Sequence, residues 1–195
     1  CPDDLPGWRE SMSAYHEATL ALGRRMLQLV ARNLGLPPDH FEPLAQTPVV
    51  SLKLAWYPER PVEAAAGQHG AGKHTDWGAL TFVAGDGTPG LQVCAPDGEW
   101  LDVPAVPGSY IVNVGDMLQR WTNDHYVSAP HRVLSAPGRE RFSLVTFFDM
   151  DYDAPLECFP SCVSEARPAR YAPMLAGEYL MHRFNESLAP AGAES

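Results

Sequence analysis

The chain is short of cysteine, of basic residues and of long apolar runs, and each shortage removes a class of protein. Only four cysteines occur in 195 residues, Cys1, Cys94, Cys158 and Cys162. None forms a C-x-x-C pair, which argues against a disulfide scaffold or a zinc site and leaves them without an assigned function. Lys and Arg number 14 against 24 Asp and Glu, for a formal net charge of −10. The clustered cations that a nucleic-acid partner needs are therefore missing. No segment approaches the roughly 20 consecutive apolar residues that span a bilayer, and no charged-then-apolar signal opens the chain. The expectation is a cytoplasmic enzyme with neither membrane nor nucleic acid as partner.

What is present divides into three stretches. In residues 1–48, Met12, Tyr15, Leu20, Leu22, Met26, Leu27, Val30 and Leu34 recur at helical spacing until Gly35-Leu36-Pro37-Pro38 stops the pattern. This predicts one long amphipathic helix that supports a sheet. In residues 49–150, short β-rich runs alternate with turn signals at Gly70-Ala71-Gly72, Gly85-Asp86-Gly87, Pro89-Gly90, Pro96-Asp97-Gly98, Pro107-Gly108 and Pro137-Gly138. Turns at that density predict a mainly β fold with flanking helices, a sandwich or jelly roll. Residues 151–195 read as proline-rich loops followed by a closing helix from about Leu175 to Leu188.

The chemistry concentrates in a few side chains of the middle stretch. His74-Thr75-Asp76 places two metal-binding types two residues apart, so on an extended segment both project to one side while Thr75 projects to the other. With His131 from another strand they make two imidazoles and a carboxylate, a set that occupies one face of an octahedral ferrous ion and leaves the other face for a co-substrate and O₂. With seven His in the chain that spacing alone is not distinctive. A second constellation sharpens it. Arg141 and Ser143, also two apart, offer a guanidinium fork and a hydroxyl on one face, the donors that grip a carboxylate. The turn Ser135-Ala136-Pro137-Gly138 between His131 and Arg141 predicts a hairpin that lays their strands side by side.

These segments resemble the Fe(II)/2-oxoglutarate-dependent dioxygenases related to isopenicillin N synthase. The likeness runs from about Leu52 to Tyr179 through His74-Thr75-Asp76-Trp77-Gly78-Ala79-Leu80-Thr81, Gly90-Leu91-Gln92-Val93, Pro107-Gly108-Ser109-Tyr110-Ile111-Val112-Asn113-Val114-Gly115-Asp116, Trp121-Thr122-Asn123, Pro130-His131-Arg132-Val133 and Arg141-Phe142-Ser143. It implies a double-stranded β-helix (jelly roll), Fe(II) held by His74, Asp76 and His131, and 2-oxoglutarate held at its far carboxylate by Arg141 and Ser143. Tyr57, before Pro58, matches a tyrosine that reaches the same carboxylate in relatives. Many plant members carry Asn where this chain has Ala55. Relatives also carry further sequence before the long helix, so the resemblance implies an N-terminally shortened member.

The implied reaction couples oxidative decarboxylation of 2-oxoglutarate, giving succinate and CO₂, to hydroxylation, desaturation or cyclisation of a small organic substrate. Asp76 speaks for these outcomes over halogenation, because halogenating relatives have a small residue in its place. Strand alternation carries Lys53, Ala55 and Tyr57 to one side of their strand, and Arg141, Ser143, Val145, Phe147 and Asp149 to one side of theirs. Lys53, Trp77, Phe147 and Asp149 are thereby candidate substrate contacts, whereas Trp121 and Arg132 read as structural. Two other classes stay open: an iron oxidase of the same fold that does not use 2-oxoglutarate, and a non-catalytic jelly-roll binding module.

Overall fold

The computed structural model describes residues 4–59, 69–134 and 138–188. Eight strands, β1 (Val50–Tyr57), β2 (His69–His74), β3 (Leu80–Gly85), β4 (Leu91–Cys94), β5 (Trp100–Asp102), β6 (Ile111–Val114), β7 (His131–Leu134) and β8 (Arg141–Phe148), form two four-stranded sheets. The first has the order β1-β8-β3-β6 and the second β2-β7-β4-β5, all pairs antiparallel. The chain passes back and forth between the sheets as it advances, which makes the fold a double-stranded β-helix. A short ribbon, β9 (Pro155–Leu156) with β10 (Met174–Leu175), lies outside the two sheets.

Helix α1 (Trp8–Asn33) matches the periodic stretch and backs the first sheet. It approaches β8 so closely at Gly23 that a Cβ there would stand 2.4 Å from the Phe148 ring. The principal apolar cluster, including Leu27, Val30, Phe41, Phe82, Met117, Leu118, Trp121, Phe148, Met150, Leu156 and Phe159, draws on both flanking helical segments and the C-terminal loops. Along β8 the alternation separates two environments: Thr146 and Phe148 are fully buried on the helix side, while Arg141, Ser143, Val145 and Phe147 line a cavity between the sheets. Apolar burial thus stabilises the fold mainly outside the barrel, leaving its interior for polar groups.

The short helix α2 (Asp116–Trp121) is joined to the C-terminal loops by Trp121-Thr122-Asn123. The Trp121 indole stacks on Phe159 and donates to the Pro155 carbonyl at 2.9 Å. Asn123 sits in the left-handed region at φ 48° and donates to the carbonyls of Cys162 and Pro168, each at 3.1 Å. Helix α3 (Ala176–Leu188) closes the described chain. Trp121 therefore packs in the apolar cluster from a helix rather than from a strand.

Two expectations are corrected. β7 and β8 do not form a hairpin; they belong to opposite sheets. The reason is pairing: β8 has eight residues, all matched to β1 and six also to β3, whereas four-residue β7 would leave much of its backbone unsatisfied. The connecting turn at 135–137 lies outside the described residues. Second, Gly70-Ala71-Gly72 is not a turn but the middle of β2, where two register shifts against β7 give an irregular, bulged strand. Glycine suits such a bulge as well as it suits a turn, so its local signal is ambiguous.

Candidate metal centre and its cavity

His74 ends β2 and lies opposite His131 on β7. Asp76 follows in the link that carries the chain to β3 in the other sheet. The structure brings these three side chains together, with one donor atom from each lying within 4.8 Å of the others. Asp76 Oδ1 is 3.6 Å from His131 Nε2 and 3.9 Å from His74 Nε2, and the imidazole centroids are 4.3 Å apart. Asp76 and His131 are buried, whereas the His74 side chain is 45% exposed and stands at the mouth.

Each imidazole has its other nitrogen tied to the backbone. His74 Nδ1 lies 2.8 Å from the Gly72 carbonyl and His131 Nδ1 lies 3.1 Å from that of Ala129. A proton on Nδ1 satisfies both carbonyls and leaves each Nε2 lone pair directed into the site, the tautomer a metal requires. Asn113 on β6 donates to Asp76 Oδ2 at 3.0 Å and sits 3.4 Å from His131 Nε2. Burial works against the Asp76 charge, but hydrogen bonding and attraction from His131, with hydrogen bonds from Asn113 and Thr81, outweigh it and hold the carboxyl below its ordinary range. Burial likewise opposes the His131 cation, and Asp76 overcomes it, so that imidazole is raised. A buried anion flanked by imidazole donors is a set that fits a divalent cation.

The same cavity, about 70 Å³ in volume, reaches from this triad to Tyr57, Arg141 and Ser143. Arg141 is 4% exposed, lies over the Tyr57 ring at 5.1 Å and contacts the Ser143 hydroxyl at 3.4 Å. Its Nε is buried without a hydrogen-bond partner, and among the described residues it makes no ion pair. Asp86 feels its charge, but that carboxylate is engaged by the N–H groups of Thr88 and Phe142. A buried guanidinium without a counter-ion costs several kcal/mol, which a carboxylate ligand would offset.

Lys53 and Phe147 line the cavity, as alternation along β1 and β8 requires; Trp77 and Asp149 do not. Trp77 faces the other way, into the main apolar cluster and beneath the Arg183 guanidinium at 5.8 Å. The period-two count fails for Asp149 because β8 ends at Phe148. Its carboxylate instead accepts from the Ala79 N–H at 3.1 Å, beneath the link carrying Asp76, where a Cβ on Gly78 would collide with it. Burial raises this carboxyl to about 7, the Ala79 hydrogen bond opposing and the charge of Asp76 adding. Arg132 points outward and stacks over Trp100 at 4.0 Å.

Asn113 escaped assignment from sequence, although a polar residue within the apolar run Ile111-Val112-Asn113-Val114 is a detectable signal. Its partner is 37 residues away in the chain, and nothing local names it.

The family model of the 2OG-Fe(II) oxygenase superfamily matches residues 47–150, the segment that carries the triad and the arginine. This chain belongs to that superfamily. Among curated superfamily relatives, it is 35% identical over 192 residues to the 2-oxoglutarate-Fe(II) type oxidoreductase hxnY of Emericella nidulans, covering 97% of this chain and 55% of that one. It is 36% identical over 194 residues to kihadalactone A synthase LFS of Citrus sinensis, covering 94% and 57%. The chain thus spans little more than half the length of these relatives. A full-length Neurospora crassa protein in complex with alpha-KG and thymine superposes with a TM-score of 0.89 at 29% identity, covering 95% of this chain and 59% of that one. JOX2 in complex with 2OG, Fe and JA gives 0.84 at 32%, covering 93% and 54%. Among the described residues, no helix is long and apolar enough to cross a membrane.

Proposed function

We propose that this chain carries the catalytic core of an oxygenase that couples decarboxylation of 2-oxoglutarate to hydroxylation, desaturation or cyclisation of a small organic substrate with O₂. The observation that carries this reading is Arg141, a buried cation without an ion-pair partner among the described residues, in the same cavity as the His74–Asp76–His131 set. In this reading residues 49–150 are the catalytic core, 1–48 its helical support and 151–195 its closing segment.

Fe(II), when bound, supplies the redox chemistry and the site for O₂ activation. The chain's own residues bind, orient and exclude. His74, Asp76 and His131 hold the ion, while the Asn113 amide fixes the carboxylate's direction. Arg141 and Ser143, with Tyr57 beside them, take the far carboxylate of 2-oxoglutarate. Val83, Leu91, Val133 and Val145 line the space between with apolar surface and keep water from it. Lys53 and Phe147, which line the same cavity, contact the substrate. Trp77 and Asp149 act instead from behind the metal loop.

A substrate screen read out by succinate release tests this function. Succinate formed in step with oxidised product supports it. Product without succinate would turn the reading to the same-fold oxidase, and absence of Fe(II) binding would leave only a non-catalytic module.

A further inference from the structure

Past the end of β2, the contacts of Thr75 and Trp77 place both side chains away from the metal site on either side of Asp76, and both are fastened to the same place. Thr75 Oγ1 donates to Asp116 Oδ2 at 3.2 Å. That carboxylate oxygen also accepts from the Tyr179 hydroxyl at 3.1 Å and lies 3.7 Å from Arg183 Nη2, both on α3. The Asp116 backbone N–H donates to the carbonyl of Asp76 itself at 2.8 Å. The next N–H, that of Met117, donates to Gly78 O at 3.0 Å and lies 3.2 Å from Trp77 O. Arg183 in turn covers the Trp77 ring. One side chain, 14% exposed, thus gathers a hydroxyl from the ligand loop together with a phenol and a guanidinium from the closing helix.

We infer that Asp116 is a positioning residue for the metal centre, through which α3 sets the direction of His74 and Asp76. The inference rests on the metal reading above. Thr75 and Trp77 are chain neighbours of His74 and Asp76 and their side chains are held on the far side of the backbone, so restraining them from behind restrains His74 and Asp76 in front. Groups that orient metal ligands in this way commonly change metal affinity by about 10–100-fold when removed. A residue that merely stapled α3 to the barrel would change stability and leave metal affinity alone.

The test is anaerobic titration of the purified metal-free chain with Co(II), followed by its visible ligand-field spectrum, alongside thermal melts. Thr75→Val keeps the shape of the threonine and removes the hydroxyl; Tyr179→Phe removes only the phenol. Both are expected to weaken Co(II) binding several-fold and to alter the spectrum. Asp116→Ala should weaken binding by about 10–100-fold, with Asp116→Asn intermediate because an amide oxygen still accepts from Thr75. If Asp116→Ala does not fold, Thr75→Val and Asp116→Asn carry the test. Unchanged Co(II) affinity and spectrum in those two, with or without a lower melting temperature, overturns the inference. Failure of the unsubstituted chain to bind Co(II) would instead remove the metal reading.

Discussion

The Asn113 amide points its Nδ2 at Asp76 Oδ2, 3.0 Å away, so the carboxylate whose Oδ1 faces both imidazoles is clamped at its other oxygen. An unclamped carboxylate can rotate and must be ordered again when metal binds. Asn113→Leu, similar in size and without a donor, is expected to weaken Co(II) binding by at least about tenfold. Equal affinity in the two proteins would show the clamp to be incidental.

Loss of any one triad residue should be severe. With Fe(II) and 2-oxoglutarate under anaerobic conditions, we expect the weak visible charge-transfer band of the chelate. His74→Ala, Asp76→Ala and His131→Ala should each abolish it. Zinc should bind without turnover, since it has no redox chemistry. Two of these variants keeping both band and turnover would dismiss the assignment.

In the proposed function Arg141→Leu removes the charged partner of the co-substrate carboxylate; Arg141 itself is buried. Such losses cost on the order of 2–5 kcal/mol, so the KM for 2-oxoglutarate should rise by about 30-fold or more while Co(II) affinity stays close to normal. Arg141→Lys should recover only part of the loss, because an ammonium cannot reproduce the planar fork. An unchanged KM in Arg141→Leu would mean that the arginine serves another ligand.

Asp149 gives the metal-free protein a pH signature. Its carboxyl is raised by burial from 3.8 to about 7 in the folded chain. Below about pH 4 it is protonated whether folded or not and contributes no difference. Between about 4 and 7 the unfolded chain releases this proton while the folded chain keeps it, so stability falls as pH rises through that window. Above about 7 the deficit is constant, on the order of 4 kcal/mol. Asp149→Asn keeps an acceptor for the Ala79 N–H without the charge. Its melting temperature should therefore exceed the parent's by an amount that grows from pH 4 to pH 7 and then levels. A difference independent of pH would contradict the assignment.

Gly23→Ala reverses the usual expectation for a helix. Replacing glycine within a helix ordinarily stabilises by about 1 kcal/mol. Here the added methyl would meet the Phe148 ring at 2.4 Å, and overpacking typically costs about 1–3 kcal/mol. The melting temperature is expected to fall, because α1 must move off β8; a rise would show that the Phe148 ring yields freely.

The sequence by itself determined what is local. The spacing of His74 and Asp76, and of Arg141 and Ser143, follows from the two-residue repeat of an extended chain. The helices at Trp8–Asn33 and Ala176–Leu188 follow from the apolar period and its breakers. Tertiary structure decided which distant residues meet: His131 opposite His74, Asn113 on Asp76, β7 and β8 in opposite sheets, and Tyr179 and Arg183 on Asp116. It also diverted Asp149 from the cavity to the Ala79 N–H, because the strand whose alternation would have carried it inward had already ended. The physical reason is common to all of these. Local periodicity dictates the side of a strand on which a residue lies, but strand pairing, sheet membership and chain ends dictate what stands on that side to receive it.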